Sequence, residues 1–147
     1  ETLTITDVVF IIAPRINAAG RIKHGNYAVQ LLTEFDLEQA TIFASEIEIF
    51  NVDRKSLDKQ ITIEALNQIN INKEQERFTT VVYDENWHKG VIGIVASRLI
   101  ETYYRPTLVF TKSGDKLAAS ARSVKDFDIY LALEQCEEYL EQFGGHM

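Results

Sequence analysis

Residues 78–111, FTTVVYDENWHKGVIGIVASRLIETYYRPTLVFT, decide the fold class of this chain. Phe78-Thr79-Thr80-Val81-Val82-Tyr83 is β-branched and aromatic, the composition of a strand. Between Gly90 and Tyr104 the apolar residues Val91, Ile94, Val95, Leu99 and Tyr103 fall on one face of a helix. Pro106 cannot continue that helix and opens a second strand, Thr107 to Thr111. Ser113-Gly114-Asp115 has the chemistry of a hairpin turn, and Lys116 to Ala121 reads as a third strand. Asp126 or Asp128 then caps a last helix with Ile129, Leu133, Cys136, Leu140 and Phe143 on its apolar stripe. Strand, helix, strand, strand, helix predicts an α/β fold, a small mixed β-sheet flanked by helices.

Working upstream, there is neither Gly nor Pro from Asn26 to Lys89. Tyr27 to Phe35 is a short helix candidate. Asp36 is a plausible N-cap for a longer one, in which Leu37, Ala40, Ala44 and Ile47 recur at helical spacing. Leu57, Ile61, Ala65 and Ile69 carry a second phase to about Asn70. The spacing predicts one long helix, or two that abut near Asn51-Val52-Asp53, of the kind that joins two lobes. The predicted organisation is residues 1–25, a helical connector at 26–76, and an α/β domain at 77–147.

With 147 residues and 46% hydrophobic content, the chain is long enough for one domain plus a connector. No apolar run approaches the ~18 residues of a membrane span, and the N-terminus carries no basic-then-apolar signal pattern. Cys136 is the lone cysteine, which rules out an internal disulfide and fits a reducing cytoplasm. A start on Glu and a stop within a Gly-rich motif suggest a piece of a longer protein. The net charge of −7 is uneven: residues 34–76 hold ten acids against four bases, and residues 11–25 hold Arg15, Arg21 and Lys23 with no acid. Acidic helices and neutral-to-basic small-residue loops are compatible with a local anion site on an acidic body.

Three small-residue stretches carry the chemistry. Ala13-Pro14-Arg15-Ile16-Asn17-Ala18-Ala19-Gly20-Arg21 sets two guanidiniums around a run without bulky side chains, as a phosphate clamp would. The alternative is a tightly packed corner whose arginines pair with acids. Ala119-Ser120-Ala121-Arg122-Ser123 lies between a strand and a helix, where backbone N–H groups and hydroxyls face an anion, or where a Ser merely caps a helix. Gly144-Gly145-His146 ends the last helix, as a cap or as a loop of closer purpose. A fourth stretch, Trp87-His88-Lys89-Gly90-Val91-Ile92-Gly93, offers a ring for stacking, a His donor and two glycines for close approach. A Trp in such a position is more often core. It is not a Walker loop, since no Gly-Lys-Ser/Thr follows. Cys136, on an apolar stripe, reads as core. The three histidines are scattered, and no set of carboxylates and histidines fits a two-metal site.

In combination these motifs are far more specific. Pro14-Arg15-Ile16-Asn17-Ala18-Ala19-Gly20-Arg21, then Trp87 to Arg98, Arg105-Pro106, Ala119 to Ser123 and Gly144-Gly145-His146, in this order, resemble the RecJ family of single-strand-specific DNA exonucleases in the DHH phosphoesterase superfamily. The resemblance covers essentially the whole chain. It implies that residues 1–25 are the tail of a DHH catalytic domain and 77–147 a DHHA1 substrate-binding domain, truncated at its Gly-Gly-His motif. It also implies 5′-to-3′ degradation of single-stranded DNA in recombination and repair. Mn²⁺ or Mg²⁺ would be held by motifs of the DHH domain that this sequence lacks, so the fragment alone should not cleave. Arg15, Asn17, Arg21, Ser120, Arg122 and Ser123 would bind the substrate phosphate; Trp87, His88, Gly90, Gly144, Gly145 and His146 are possible nucleotide contacts. Single-stranded DNA, a single-strand-binding protein and a recombination helicase are the implied partners, with no membrane. The alternatives are a DHH-family oligoribonuclease or 3′-phosphoadenosine phosphate phosphatase, and a non-catalytic interaction lobe.

Overall fold

The structure, a computed structural model, describes residues 2–145. The chain opens with a short helix α1 (Ile5–Asp7), a π-helical turn (Val8–Ile12) and α2 (Ala13–Ile22), which run on as one rod. Pro14 explains the wide turn: its ring clashes with the carbonyl four residues back, and a π-type turn just ahead of it relieves that contact. This is the first correction to the sequence reading. The small-residue stretch 13–21 is a helix, not a loop, and its alanines serve helix packing: Ala18 and Ala19 are wholly buried.

After α3 (Asn26–Thr33), α4 (Leu37–Ile71) runs 35 residues without a break at Asn51-Val52-Asp53. Asp36 caps it, its Oδ1 accepting from the Gln39 amide at 2.9 Å. Its C-terminus closes without glycine. Lys73 takes the left-handed conformation (φ 56°). The Lys73 and Glu74 amides then return to the carbonyls of Asn70 (3.1 Å) and Ile69 (2.9 Å), a complete Schellman motif.

The sheet has the order β1-β2-β3, with β1 (Thr80–Tyr83) parallel to β2 (Thr107–Ser113) and β2 antiparallel to β3 (Lys116–Arg122). Helix α5 (Ile92–Thr102) makes the crossover between the parallel pair. The β2–β3 hairpin turns on Gly114-Asp115, with positive φ at Gly114 only among those two, the pattern of a type II′ turn. This is the mixed sheet flanked by helices that the sequence predicts.

Two apolar cores share α4. Ile61, Ala65 and Ile69 pack with Trp87, Val91, Val95, Leu99 and Val109 under the sheet. Ile47 and Phe50 pack with Ala18, Ala19 and Ala28, and Tyr27 meets Phe50 edge-on at 5.0 Å. Ile22 at the end of α2 touches both clusters. Truncating a fully buried side chain such as Leu99 to Ala costs about 2–5 kcal/mol, so these contacts fix the position of α5.

The last helix departs from expectation. Asp128 does cap it, its Oδ1 accepting from Tyr130 (2.9 Å) and Leu131 (3.1 Å). But α6 (Ile129–Glu134) has only six residues and gives way to a 3₁₀ turn at Glu137–Tyr139. Cys136 lies past its end and is exposed, not core. A helical repeat forms a long helix only when its apolar face is covered, and here Leu131 and Tyr139 stand open to solvent.

Candidate phosphate-binding cleft

The N-terminus of α5 is the centre of the candidate site. The first amides of a helix have no intrahelical acceptor. Among the described residues those of Ile92 and Gly93 donate to no protein group. Gly93 is buried against the end of β3: a β-carbon there would stand 3.2 Å from Arg122 Nη2 and 3.3 Å from Ser120 Oγ. Glycine thus lets a guanidinium and a hydroxyl lie over the first turn of α5. Arg122 donates Nη1 only to the carbonyl of Ala121 (2.8 Å), and among the described residues it meets no carboxylate.

Gly90 joins this turn to α2. A β-carbon on Gly90 would fall 2.1 Å from the Arg21 carbonyl oxygen, so residue 90 has to be glycine for the two backbones to meet. In return, Arg21 donates Nη1 to the Gly90 carbonyl at 3.2 Å. Arg21 is exposed and, among the described residues, has no carboxylate partner. Asn17 lies one turn earlier on the same exposed face of α2.

Ser120, Arg122, Ser123, Gly144 and Gly145 line one cleft of about 810 Å³, together with Asp126, Asp128, Tyr130 and Phe143. The structure therefore brings two of the three small-residue motifs into one opening, with Arg21 next to it through the Gly90–Gly93 turn. The Ser123 hydroxyl donates to the Phe127 carbonyl and shapes the 123–127 loop, which leaves only its oxygen lone pairs to spare. His88 Nδ1 accepts from the Gly90 amide at 3.1 Å. That acceptor role leaves Nε2 as the ring nitrogen free to donate. His146 lies outside the described residues.

Two predicted residues are used elsewhere. Arg15 pairs through Nε with Glu48 on α4 and donates Nη1 to the Ile11 carbonyl at 2.7 Å. Its charge is committed to an internal carboxylate, the alternative that the sequence left open for this stretch. Trp87 is 4% exposed and donates its indole N–H to Glu64 at 2.8 Å; both ring faces are covered by core, so it offers no platform to a base. Glu48 and Glu64 were not legible as partners: each stands more than 20 residues from the side chain it meets.

The arrangement supplies two guanidiniums, a hydroxyl and the free amides of a helix start, donors suited to an oxyanion. Among the described residues no three His, Cys, Asp or Glu side chains come together as metal ligands.

Residues 75–147, which carry the mixed three-stranded sheet and its α5 crossover, belong to the DHHA1 domain family. The chain as a whole is homologous to the RecJ exonucleases. It is 38% identical over 141 residues to the single-stranded-DNA-specific exonuclease RecJ of Bacillus subtilis (strain 168), covering 95% of this chain and 18% of that protein. To the Escherichia coli (strain K12) protein of the same name it is 34% identical over 155 residues, covering 99% of this chain and 27% of that one. The fold superposes on the crystal structure of RecJ in complex with Mn²⁺ from Thermus thermophilus with a TM-score of 0.86 at 33% identity, over 95% of this chain and 20% of that one. The Mg²⁺ complex of the same protein gives a TM-score of 0.86. The chain spans about a fifth to a quarter of the length of these relatives.

Proposed function

We propose that this chain is the connector and DHHA1 portion of a RecJ-like exonuclease that degrades single-stranded DNA from the 5′ end, and that it grips the terminal phosphate. Residues 1–25 are read as the tail of the catalytic lobe, 26–76 as the connector and 77–147 as the substrate lobe. Arg21, Asn17, Ser120 and Arg122 form the phosphate grip, with Gly144 and Gly145 lining the path of the terminal nucleotide. Arg15 is assigned to the α2–α4 ion pair instead. The observation that carries the reading is the meeting of Arg122 and Ser120 with Gly93 at the first turn of α5, neither guanidinium of the grip being neutralised by a carboxylate among the described residues.

The grip supplies position and charge stabilisation for phosphoryl transfer; in this reading Mn²⁺ or Mg²⁺, named with the related structures, is bound by the DHH lobe. The relatives reported above carry the exonuclease name, which favours that reading over an oligoribonuclease or a 3′-phosphoadenosine phosphate phosphatase. The proposed setting is the cytoplasm, with single-stranded DNA as substrate and a single-strand-binding protein and a recombination helicase as partners in repair. No helix among the described residues is long and apolar enough to cross a membrane.

The test is Arg122→Ala in the exonuclease that carries this segment. Loss of a charge-assisted hydrogen bond costs about 1.5–3 kcal/mol. The loss should be larger on 5′-phosphorylated strands than on 5′-hydroxyl strands; equal losses would refute the phosphate role.

A further inference from the structure

We infer that Glu64 and Thr111 are positioning residues for the phosphate grip, acting through Trp87; the inference rests on the reading given under Proposed function. Trp87 stands immediately ahead of the turn that carries the grip, and two elements hold it from different sides. From α4, Glu64 Oε2 accepts the indole N–H at 2.8 Å. From β2, the Thr111 hydroxyl donates to the Trp87 carbonyl at 2.6 Å. The chain then turns at once. The Val91 amide donates to the His88 carbonyl at 2.9 Å, and the Gly90 amide to His88 Nδ1 at 3.1 Å. Two residues later Gly93 meets Ser120 and Arg122, while Gly90 itself receives Arg21. Where Trp87 sits therefore sets where the α5 amides stand against Ser120 and Arg122, and where Gly90 receives Arg21.

Neither tether is needed for packing alone. Thr111 is wholly buried in the sheet, where Val would fill the same volume without a hydroxyl to satisfy. Among the described residues its hydroxyl has one partner, the Trp87 carbonyl. Glu64 is exposed on α4, yet its carboxylate is oriented: Oε1 accepts from Gln60 Nε2 at 2.9 Å while Oε2 faces the indole. An ionised acceptor makes a stronger bond to an N–H than a neutral one. The pair fixes one residue at both its side chain and its carbonyl, and the next six residues follow.

The test uses steady-state kinetics of the exonuclease carrying this segment, on 5′-phosphorylated and 5′-hydroxyl oligothymidylate. Thr111→Val and Glu64→Ala should each raise KM for the phosphorylated strand up to about tenfold, the range of one net hydrogen bond, with kcat nearly unchanged. Thr111→Ser and Glu64→Gln, which keep a hydroxyl donor and a carbonyl acceptor, should return KM to near the parent value. A fall in kcat with KM unchanged, or no rescue by the conservative variants, would show a merely structural role and overturn the inference. Should Thr111→Val fail to fold, exposed Glu64 carries the same test. Arg122→Ala runs in parallel. If it discriminates between the two strand ends while the Glu64 and Thr111 variants do not, only this inference fails. If it does not discriminate, the phosphate reading fails and takes the inference with it.

Discussion

The carbonyl oxygen of Arg21 occupies the space in which residue 90 would carry a β-carbon, 2.1 Å from its ideal position. Helix α2 and the turn before α5 thus touch backbone to backbone, 69 residues apart in sequence. Through this contact the rod formed by α1 and α2 is coupled to the α/β domain.

Gly90→Ala should break that coupling. The clash is with backbone, which cannot swing aside as a side chain does, so α2 has to shift. Overpacking of this kind costs about 1–3 kcal/mol. A lower urea midpoint with unchanged slope is the expected measurement, with weaker binding of a 5′-phosphorylated oligonucleotide because Arg21 moves with α2.

Gly93→Ala separates stability from binding at the neighbouring position. Its β-carbon would meet the tips of Arg122 and Ser120 at 3.2 and 3.3 Å, and both side chains can move. Alanine also favours a helix over glycine by about 1 kcal/mol. Thermal stability should hold or rise while affinity for the phosphate end falls, since the side chain crowds Arg122 Nη2 and Ser120 Oγ out of their positions.

The sheet and its crossover were legible because Val, Ile and Thr cluster in the strands and the α5 apolar face has a clean 3.6-residue period. The long helix was legible from its cap and its two apolar phases; its continuity past Asn51 was not, because that stretch packs polar residues into the seam between the two cores. The small-residue run 13–21 was misread as a loop. Ala and Gly permit close approach to anything, and the approach here is to α4 and to Gly90. Arg15 and Arg21 look alike in sequence. Only the helical phase, six residues apart and so on different faces, delivers one to Glu48 and the other to Gly90. The end of α6 was unreadable for a different reason, since its pattern needs a covering surface that local sequence does not specify.

Arg105 should prove structural. It is buried with no carboxylate beside it among the described residues. Nε donates to Thr80 Oγ1 at 2.7 Å and the two Nη atoms to the carbonyls of Gln75, Arg77 and Glu74, while the guanidinium lies 4.8 Å from the centre of the Tyr103 ring. It pins the segment after α4 to the sheet. Arg105→Lys cannot reproduce the planar fork and should lose about 2–4 kcal/mol in chemical denaturation, with several donors and acceptors unpaired. Discrimination between 5′-phosphate and 5′-hydroxyl ends should not change.

The start of α1 carries a pH-dependent cap. The Thr4 hydroxyl, with help from the Thr4 amide, holds the Asp7 carboxyl below its ordinary value of 3.8. A carboxylate with a depressed folded-state pKa stabilises when ionised, so its contribution is present above that ordinary value and is lost as pH falls through the folded one. The Thr4 amide resonance should titrate with Asp7 below about pH 4. Asp7→Asn should abolish that titration and leave the core signals untouched.

The polar seam between the two cores makes the sharpest contrast. Asn51, Arg54, Asp58 and Thr62 follow one face of α4, and Asn51 Nδ2, Arg54 Nε, Asp58 Oδ1 and Thr62 Oγ1 are buried without a partner among the described residues. Asp58 stands 4.0 Å from Arg54 and 3.8 Å from Arg98, a loose pairing of one acid with two cations. Removing an unpaired hydroxyl while keeping shape relieves a desolvation cost, so Thr62→Val should be neutral or stabilise by up to about 1–3 kcal/mol. Removing Asp58 leaves the mostly buried Arg54 uncompensated. Asp58→Ala should therefore cost about 3–5 kcal/mol, and adding Arg54→Leu should recover part of it, since an apolar pair of similar volume is often no worse than a buried ion pair. Urea midpoints of the three variants decide it. Equal destabilisation by Thr62→Val and Asp58→Ala would mean that the seam is held together as one hydrogen-bonded unit rather than by charge.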